Sequence, residues 1–277
     1  SSVTFDKAHL KLIDHPFPKL IIQHRELTKV RDTFIGSYVQ NKHVNGRLHC
    51  SFHPLKGAEN GARSGRFASS DPNLQNIPVR TAEGKLVREA FDGTISGNRW
   101  RSFDYSSIEY RLLAHFAVGP GSDEVRAIFA ANPHADYHEI VEQLIFALTG
   151  LELGRKRTKN INFGIIYGMQ LNALAGHLAL PKPEAKELLA KYHEAAPYAK
   201  ATMDGCAAEV HETGMDRTIL NRASDFNVWG PKGYQEGGRP RPMTFDEAYH
   251  EYGGNIERQQ THKALNRKLQ GSAADIM

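Results

Sequence analysis

Four residues spaced by four open the chemistry of this chain: Arg155, Lys159, Phe163 and Tyr167, within Arg155-Lys156-Arg157-Thr158-Lys159-Asn160-Ile161-Asn162-Phe163-Gly164-Ile165-Ile166-Tyr167-Gly168. Each step of four on a helix turns about 40° past a full circle, so the four make one slanting stripe. Two cations lead and two rings follow. The cations suit phosphate, and the rings suit a sugar or base. A solvated basic turn followed by core aromatics gives the same pattern. Gly164 and Gly168 each weaken a helix by up to about 1 kcal/mol relative to Ala, which hints at a close approach.

A second segment is Phe103-Asp104-Tyr105-Ser106-Ser107-Ile108-Glu109. Residues 99–104 read as a strand and 107–117 as a helix, so Asp104 falls at a strand terminus. There a hard cation such as magnesium could reach its carboxylate. Ser106 and Glu109 have capping-box spacing. A third segment, residues 64–80, is dense in amides and carries Arg66 and Arg80. Such groups hydrogen-bond phosphates, sugars and base edges, although they also suit a solvated turn. In the last segment Asn266 and Gln270 share one helical face. His134 and His138 have the i, i+4 spacing of metal ligands, but no third ligand accompanies them, and a surface pair is the simpler reading.

The elements that must position these groups are mostly helical. Apolar periodicity predicts helices over 17–39, 122–131, 136–148, 154–168, 183–194 and 255–277. Residues 221–254 are rich in Gly, Pro and polar side chains and read as irregular. The chain has 277 residues, 40% hydrophobic and 24% charged, with a net charge of +4. That composition excludes a disordered tail, a collagen-like fibre and a disulfide scaffold. The two cysteines give no redox or metal spacing. No stretch approaches the roughly 20 apolar residues of a membrane span, and no signal-peptide pattern is present. The expectation is a protein of a reducing, cytoplasmic compartment, neither secreted nor membrane-bound. The first residue is Ser1 and the last helix pattern stops at Met277, so both ends read as cut from something longer.

Together these segments resemble the family A DNA polymerases, the group of bacterial DNA polymerase I and its phage relatives. Residues 64–80 are similar to that family's "TGRLSSSDPNLQNIPVR" stretch, with Asp71 to Arg80 matching throughout. Asp104 to Arg111 resemble motif A, "DYSQIELR", with Ser107 in the Gln place and Tyr110 in the Leu place. Residues 155–168 resemble motif B, "RxxxKxxNFGxxYG", and Gln270 to Asp275 resemble "QGTAAD". The four motifs stand in the family's order over most of residues 20–277.

The resemblance implies an α+β fold: a right-hand palm sheet with an inserted helical fingers subdomain, truncated at both ends. Residues 1–40 would end the thumb and enter the palm. Residues 41–118 would be the first part of the palm and 119–254 the fingers, with 216–254 longer than the family's usual connection. Residues 255–277 would be a truncated palm helix. The implied reaction is template-directed DNA synthesis, in which a primer 3′-hydroxyl attacks a deoxynucleoside triphosphate. Two magnesium ions about 3.5–4 Å apart would assist. Asp104 would hold both ions with the backbone carbonyl of Tyr105, and Lys159 would serve catalysis. The dNTP would meet Arg155, Lys159, Phe163, Tyr167, His138 and Glu109, the last as a gate against a ribose 2′-hydroxyl. Primer–template DNA would meet Arg66, Asn73, Gln75, Asn76, Arg80, Asn266 and Gln270. The family's motif C, which carries a second carboxylate, is absent. The isolated chain is therefore expected to be inactive, with motif C supplied by a second polypeptide or by the remainder of a longer polymerase. The alternative is a non-catalytic DNA-binding relative. A metal-dependent nuclease lacks the cluster of acids it would need.

Overall fold

The structure is a computed structural model. It describes residues 5–53, 64–79, 81–93, 99, 101–150, 152, 154–166, 169, 171–178, 180–233 and 241–277. The chain divides into two compact units, Ser1–Ala62 with Phe67–Phe103, and Arg63–Arg66 with Asp104–Met277.

In the first unit, helix α1 (Lys7–Leu12) is capped by Asp6, and α2 (Pro16–Lys29) starts on a proline whose missing N–H costs nothing there. A π-helical segment (Val30–Asn41) follows. Strands β1 (His43–Val44) and β2 (Arg47–Leu48) pair antiparallel, as do β3 (Ser51–His53) and β4 (Ala68–Ser70). A 3₁₀ turn (Leu74–Asn76) and helix α3 (Ala82–Glu89) complete this unit. Phe34, Tyr38 and Val87 form its small core. Gly84 lies so close to Pro78 that a Cβ there would fall 2.8 Å from the proline ring.

The second unit is chiefly helical. It contains α4 (Ile108–Phe116), α5 (Ser122–Ala131), α6 (Tyr137–Thr149), α7 (Arg155–Ile166) and α8 (Leu171–Leu178). Next come α9 (Lys182–Ala195), α10 (Pro197–Thr213), α11 (Phe245–Tyr252) and α12 (Ala264–Ile276). Its core gathers Tyr110, Leu113, Tyr137, Val141, Ile145, Ile161, Leu174, Tyr192, Val210 and Leu269, each at most 2% exposed. Two antiparallel ladders attach to the helices: β5 (Met215–Arg217) with β6 (Ala223–Asp225), and β7 (Trp229–Pro231) with β8 (Ile256–Arg258).

Mixed helix and strand agrees with the α+β expectation. The strand expected over 99–104 is not formed: residues 99 and 101–104 carry no regular structure. Phe103 is 92% exposed, so its apolar character does not turn inward as a strand residue's would. The helix expected over 255–277 begins only at Ala264. Ladder β7–β8 and a 3₁₀ turn (Thr261–Lys263) take up the residues before it. The described residues of 221–254, 221–233 and 241–254, are more regular than their composition suggests. They supply β6, β7 and α11, whose Thr244 and Glu247 make a capping box. Helices α8 and α10 lie where no periodicity pointed.

Candidate active site and nucleic-acid interface

Helix α7 buries one side and presents the other. Ile161, Ile165 and Ile166 enter the core, together with the polar Thr158 and Asn162. Arg155 and Lys159 stay exposed, and Phe163 is half-buried. The Lys159 ammonium lies 5.7 Å from the centre of the Phe163 ring, the contact that i, i+4 spacing provides. Tyr167 lies outside the described residues. Close approach at Gly164 comes from Met169, whose sulfur would sit 3.0 Å from an added Cβ.

Arg155 pairs with Asp136, the N-cap of α6. Burial works against ionisation of Asp136, but Arg155 and the His138 backbone N–H hold its carboxyl below the ordinary carboxylate value. His138 is 6% exposed, so it is no surface residue. Its Nδ1 lies 3.0 Å from Asn162 Nδ2. Tyr110 meets the imidazole edge-on at 4.7 Å and Phe163 lies at 5.5 Å. Burial lowers the His138 pKa; Asp136 opposes this, and Lys159 and Arg155 reinforce it. The ring is therefore neutral at pH 7. His134 precedes α6, exposed, and its N–H donates to Asn132 Oδ1. The two histidines thus do not share a helix face. Among the described residues no three His, Cys, Asp or Glu side chains group to hold a metal.

Helix α4 meets α7 through Tyr110. Its ring stacks on Tyr137 at 4.5 Å and touches Phe163 edge-on at 5.3 Å. Glu109, beside Tyr110, pairs with Arg66. The capping box expected of Ser106 and Glu109 is not formed. The cap position belongs to Ser107, which is left-handed (φ 53°) and makes no side-chain cap bond. A left-handed cap turns the preceding backbone away from the geometry that the box needs. Asp104 and Tyr105 are exposed just before this turn. One carboxylate and an adjacent carbonyl are hard oxygen donors and fit part of a magnesium shell, which waters and phosphate oxygens would complete.

The amide-rich segment bonds locally in the first unit. Asn73 Oδ1 accepts from the Gln75 N–H, and Gln75 Nε2 donates to the Phe67 carbonyl at 2.9 Å. Asn76 is exposed, and Arg80 lies outside the described residues. In the second unit Asn266 and Gln270 are half-buried on α12. Beside them Arg267 stacks 3.9 Å over Phe226 and donates to the Asp225 carbonyl. Gly271 admits Thr218, whose methyl would fall 2.7 Å from an added Cβ.

The motif order, the joined α4 and α7 and this packing coincide with a family-wide match: the model for DNA polymerase family A covers residues 2–277. The chain belongs to DNA polymerase family A. It is 31% identical to DNA polymerase I of Pseudomonas aeruginosa over 274 residues, which is 98% of this chain and 27% of that protein. It is 34% identical to thermostable DNA polymerase I of Thermus thermophilus over 272 residues, 95% of this chain and 28% of that protein. The chain thus spans little more than a quarter of these relatives. The fold resembles the POL domain of Pol1 from M. smegmatis, solved in complex with DNA primer-template and dNTP. The TM-score is 0.71 at 27% identity, over 99% of this chain and 44% of that one.

In this family A chain three groups escaped the sequence reading. Asn162 is wholly buried against His138. Asp216 and Lys268 form a buried pair at 2.8 Å. Arg222 ties Asp275 to the Ser64 and Gly271 carbonyls. No spacing signals the two pairs, because their partners are far apart in sequence. Asn162 lies within the family A motif itself, but an amide between cations and rings has no distinctive spacing of its own. No helix among the described residues is long and apolar enough to cross a membrane.

Proposed function

We propose that this chain forms the nucleotide-binding part of a template-directed DNA polymerase, which adds deoxynucleotides from dNTPs to a primer 3′-hydroxyl. The observation that carries the proposal is the contact of Tyr110 with Phe163, which joins α4, whose start follows Asp104, to α7, which carries Arg155 and Lys159. Arg155 exchanges Asp136 for triphosphate oxygens, and Lys159 neutralises charge on them as the bond to the leaving pyrophosphate breaks. His138 adds a phosphate contact. Phe163 packs on the sugar and base, Tyr167 stands beside the templating position, and Glu109 rejects a ribose 2′-hydroxyl. Arg66, Asn73, Gln75, Asn76, Arg80, Asn266 and Gln270 contact primer and template. The primer–template and dNTP held by the M. smegmatis neighbour support DNA and a dNTP as the ligands. Residues 1–40 would end the thumb and enter the palm, 41–118 and 255–277 would serve as palm, and 119–254 as fingers.

Asp104 and the Tyr105 carbonyl would hold magnesium, which supplies charge neutralisation and activation of the attacking hydroxyl. A second carboxylate, needed for a pair of ions, would come from outside these residues, in the same polypeptide or another. Asp104→Ala in the complete enzyme should abolish primer extension and leave DNA binding within about twofold, a difference near 0.4 kcal/mol. Equal loss of both would make Asp104 structural. A non-catalytic DNA-binding relative would have no use for the Arg155–Lys159–Phe163 face.

A further inference from the structure

We infer that Asn162 is a positioning residue: it fixes which ring nitrogen of His138 carries the proton, so that Nε2–H is left to donate to a phosphate oxygen. The inference rests on the proposal that the α7 face receives the triphosphate. Asn162 follows Lys159 by three residues, about 60° round the helix, and is fully buried toward α6. Its Nδ2 lies 3.0 Å from His138 Nδ1. With that amide nitrogen as the donor, Nδ1 accepts and the single proton of the uncharged imidazole sits on Nε2; the reversed amide would instead turn Oδ1, a buried atom with no hydrogen-bond partner among the described residues, to an Nδ1–H, which an Nδ1–H signal would reveal.

The ring has little freedom to escape this arrangement. The His138 backbone N–H is held by Asp136 Oδ1 at 2.9 Å. Tyr110, Phe163 and Tyr137 surround the imidazole at 4.7, 5.5 and 6.4 Å. Among the described residues nothing else bonds the ring. A phosphate oxygen accepts hydrogen bonds and gives none at its charged positions. The opposite tautomer would aim a lone pair at it, whereas Nε2–H donates. The charged and titratable groups facing the ring are Asp136 at the start of α6, Arg155 and Lys159 from α7, and Tyr110 from α4. One carboxylate stands against two cations, which agrees with an imidazole that donates while uncharged. Asn162 thus joins two functions on one helix: its neighbours Lys159 and Phe163 face the ligand, while it sets a donor on the adjacent helix.

The test is ¹⁵N NMR of the imidazole nitrogens at pH 7.5, with binding of magnesium–dATP measured in parallel. The wild-type protein should show His138 protonated at Nε2. Asn162→Asp keeps the shape but, once ionised, can only accept, so the His138 titration should shift upward and, at a pH above it, the single proton should sit on Nδ1. Magnesium–dATP affinity should fall about threefold to tenfold, the worth of one hydrogen bond, and His138→Ala should weaken binding equally. An Nδ1–H signal in the wild type overturns the inference, whatever dATP does and whether or not the variant folds. Unchanged dATP affinity in both variants, with the wild type at Nε2–H, overturns the phosphate role and leaves the tautomer assignment standing.

Discussion

Glu109 stands paired with Arg66, and that pairing shapes what its removal tests. Glu109→Ala should raise ribonucleotide incorporation relative to deoxynucleotide in the complete polymerase, measured as competing ATP and dATP insertion. An unchanged ratio would assign Glu109 to holding Arg66 alone. His138 offers a second test at this scale. Burial depresses its folded pKa, and burial does the same at His193, with Lys200 reinforcing and Asp204 opposing. The unfolded chain then binds protons first as the pH drops. The corresponding stability is fully present above the unfolded histidine value of about 6.5 and is lost as pH falls below it. Denaturant midpoints should drop between pH 7.5 and 5.5, and His138→Gln should reduce that drop. An identical pH slope in the variant would show that His138 titrates normally.

Helix α12 is closely packed at Gly271, and its tolerance to change follows from two contacts. Gly271→Ala drives a methyl into Thr218 at 2.7 Å, with Arg222 at 3.2 Å behind it. Arg222 is itself fixed to Asp275, Ser64 and Gly271, so it cannot readily yield. Overpacking of this kind costs about 1–3 kcal/mol, readable from urea denaturation. The Asp216–Lys268 pair is the other contact. Burial raises the Asp216 carboxyl above its ordinary value although Lys268 opposes this. Burial also works against the Lys268 ammonium, yet Asp216 holds it above its ordinary value. Lys268→Met leaves a fully buried carboxylate without its cation and should cost about 3–5 kcal/mol. A loss under about 1 kcal/mol would mean that Asp216 simply takes up a proton.

For the whole molecule, residues 1–277 by themselves should bind magnesium–dATP and fail to extend a primer, because one carboxylate does not hold two ions. Robust extension in a gel assay would show that a second metal ligand lies within these residues. The sequence by itself determined the helices with strong apolar periods: α5 falls on residues 122–131 as expected, and α6, α7 and α9 begin or end within two residues. It also determined the Arg155–Lys159–Phe163 face, since helical spacing alone puts residues four apart on one side. Tertiary structure decided the rest. Phe103 looked like a strand residue until no strand formed beside it, because a strand exists only through its partner. Glu109 left its local cap for Arg66, 43 residues away. His134 and His138 were parted by the start of α6, and Asn162 found His138 across two helices. Periodicity is a property of one segment, whereas each of these outcomes depends on which segments meet, and local spacing carries no record of that.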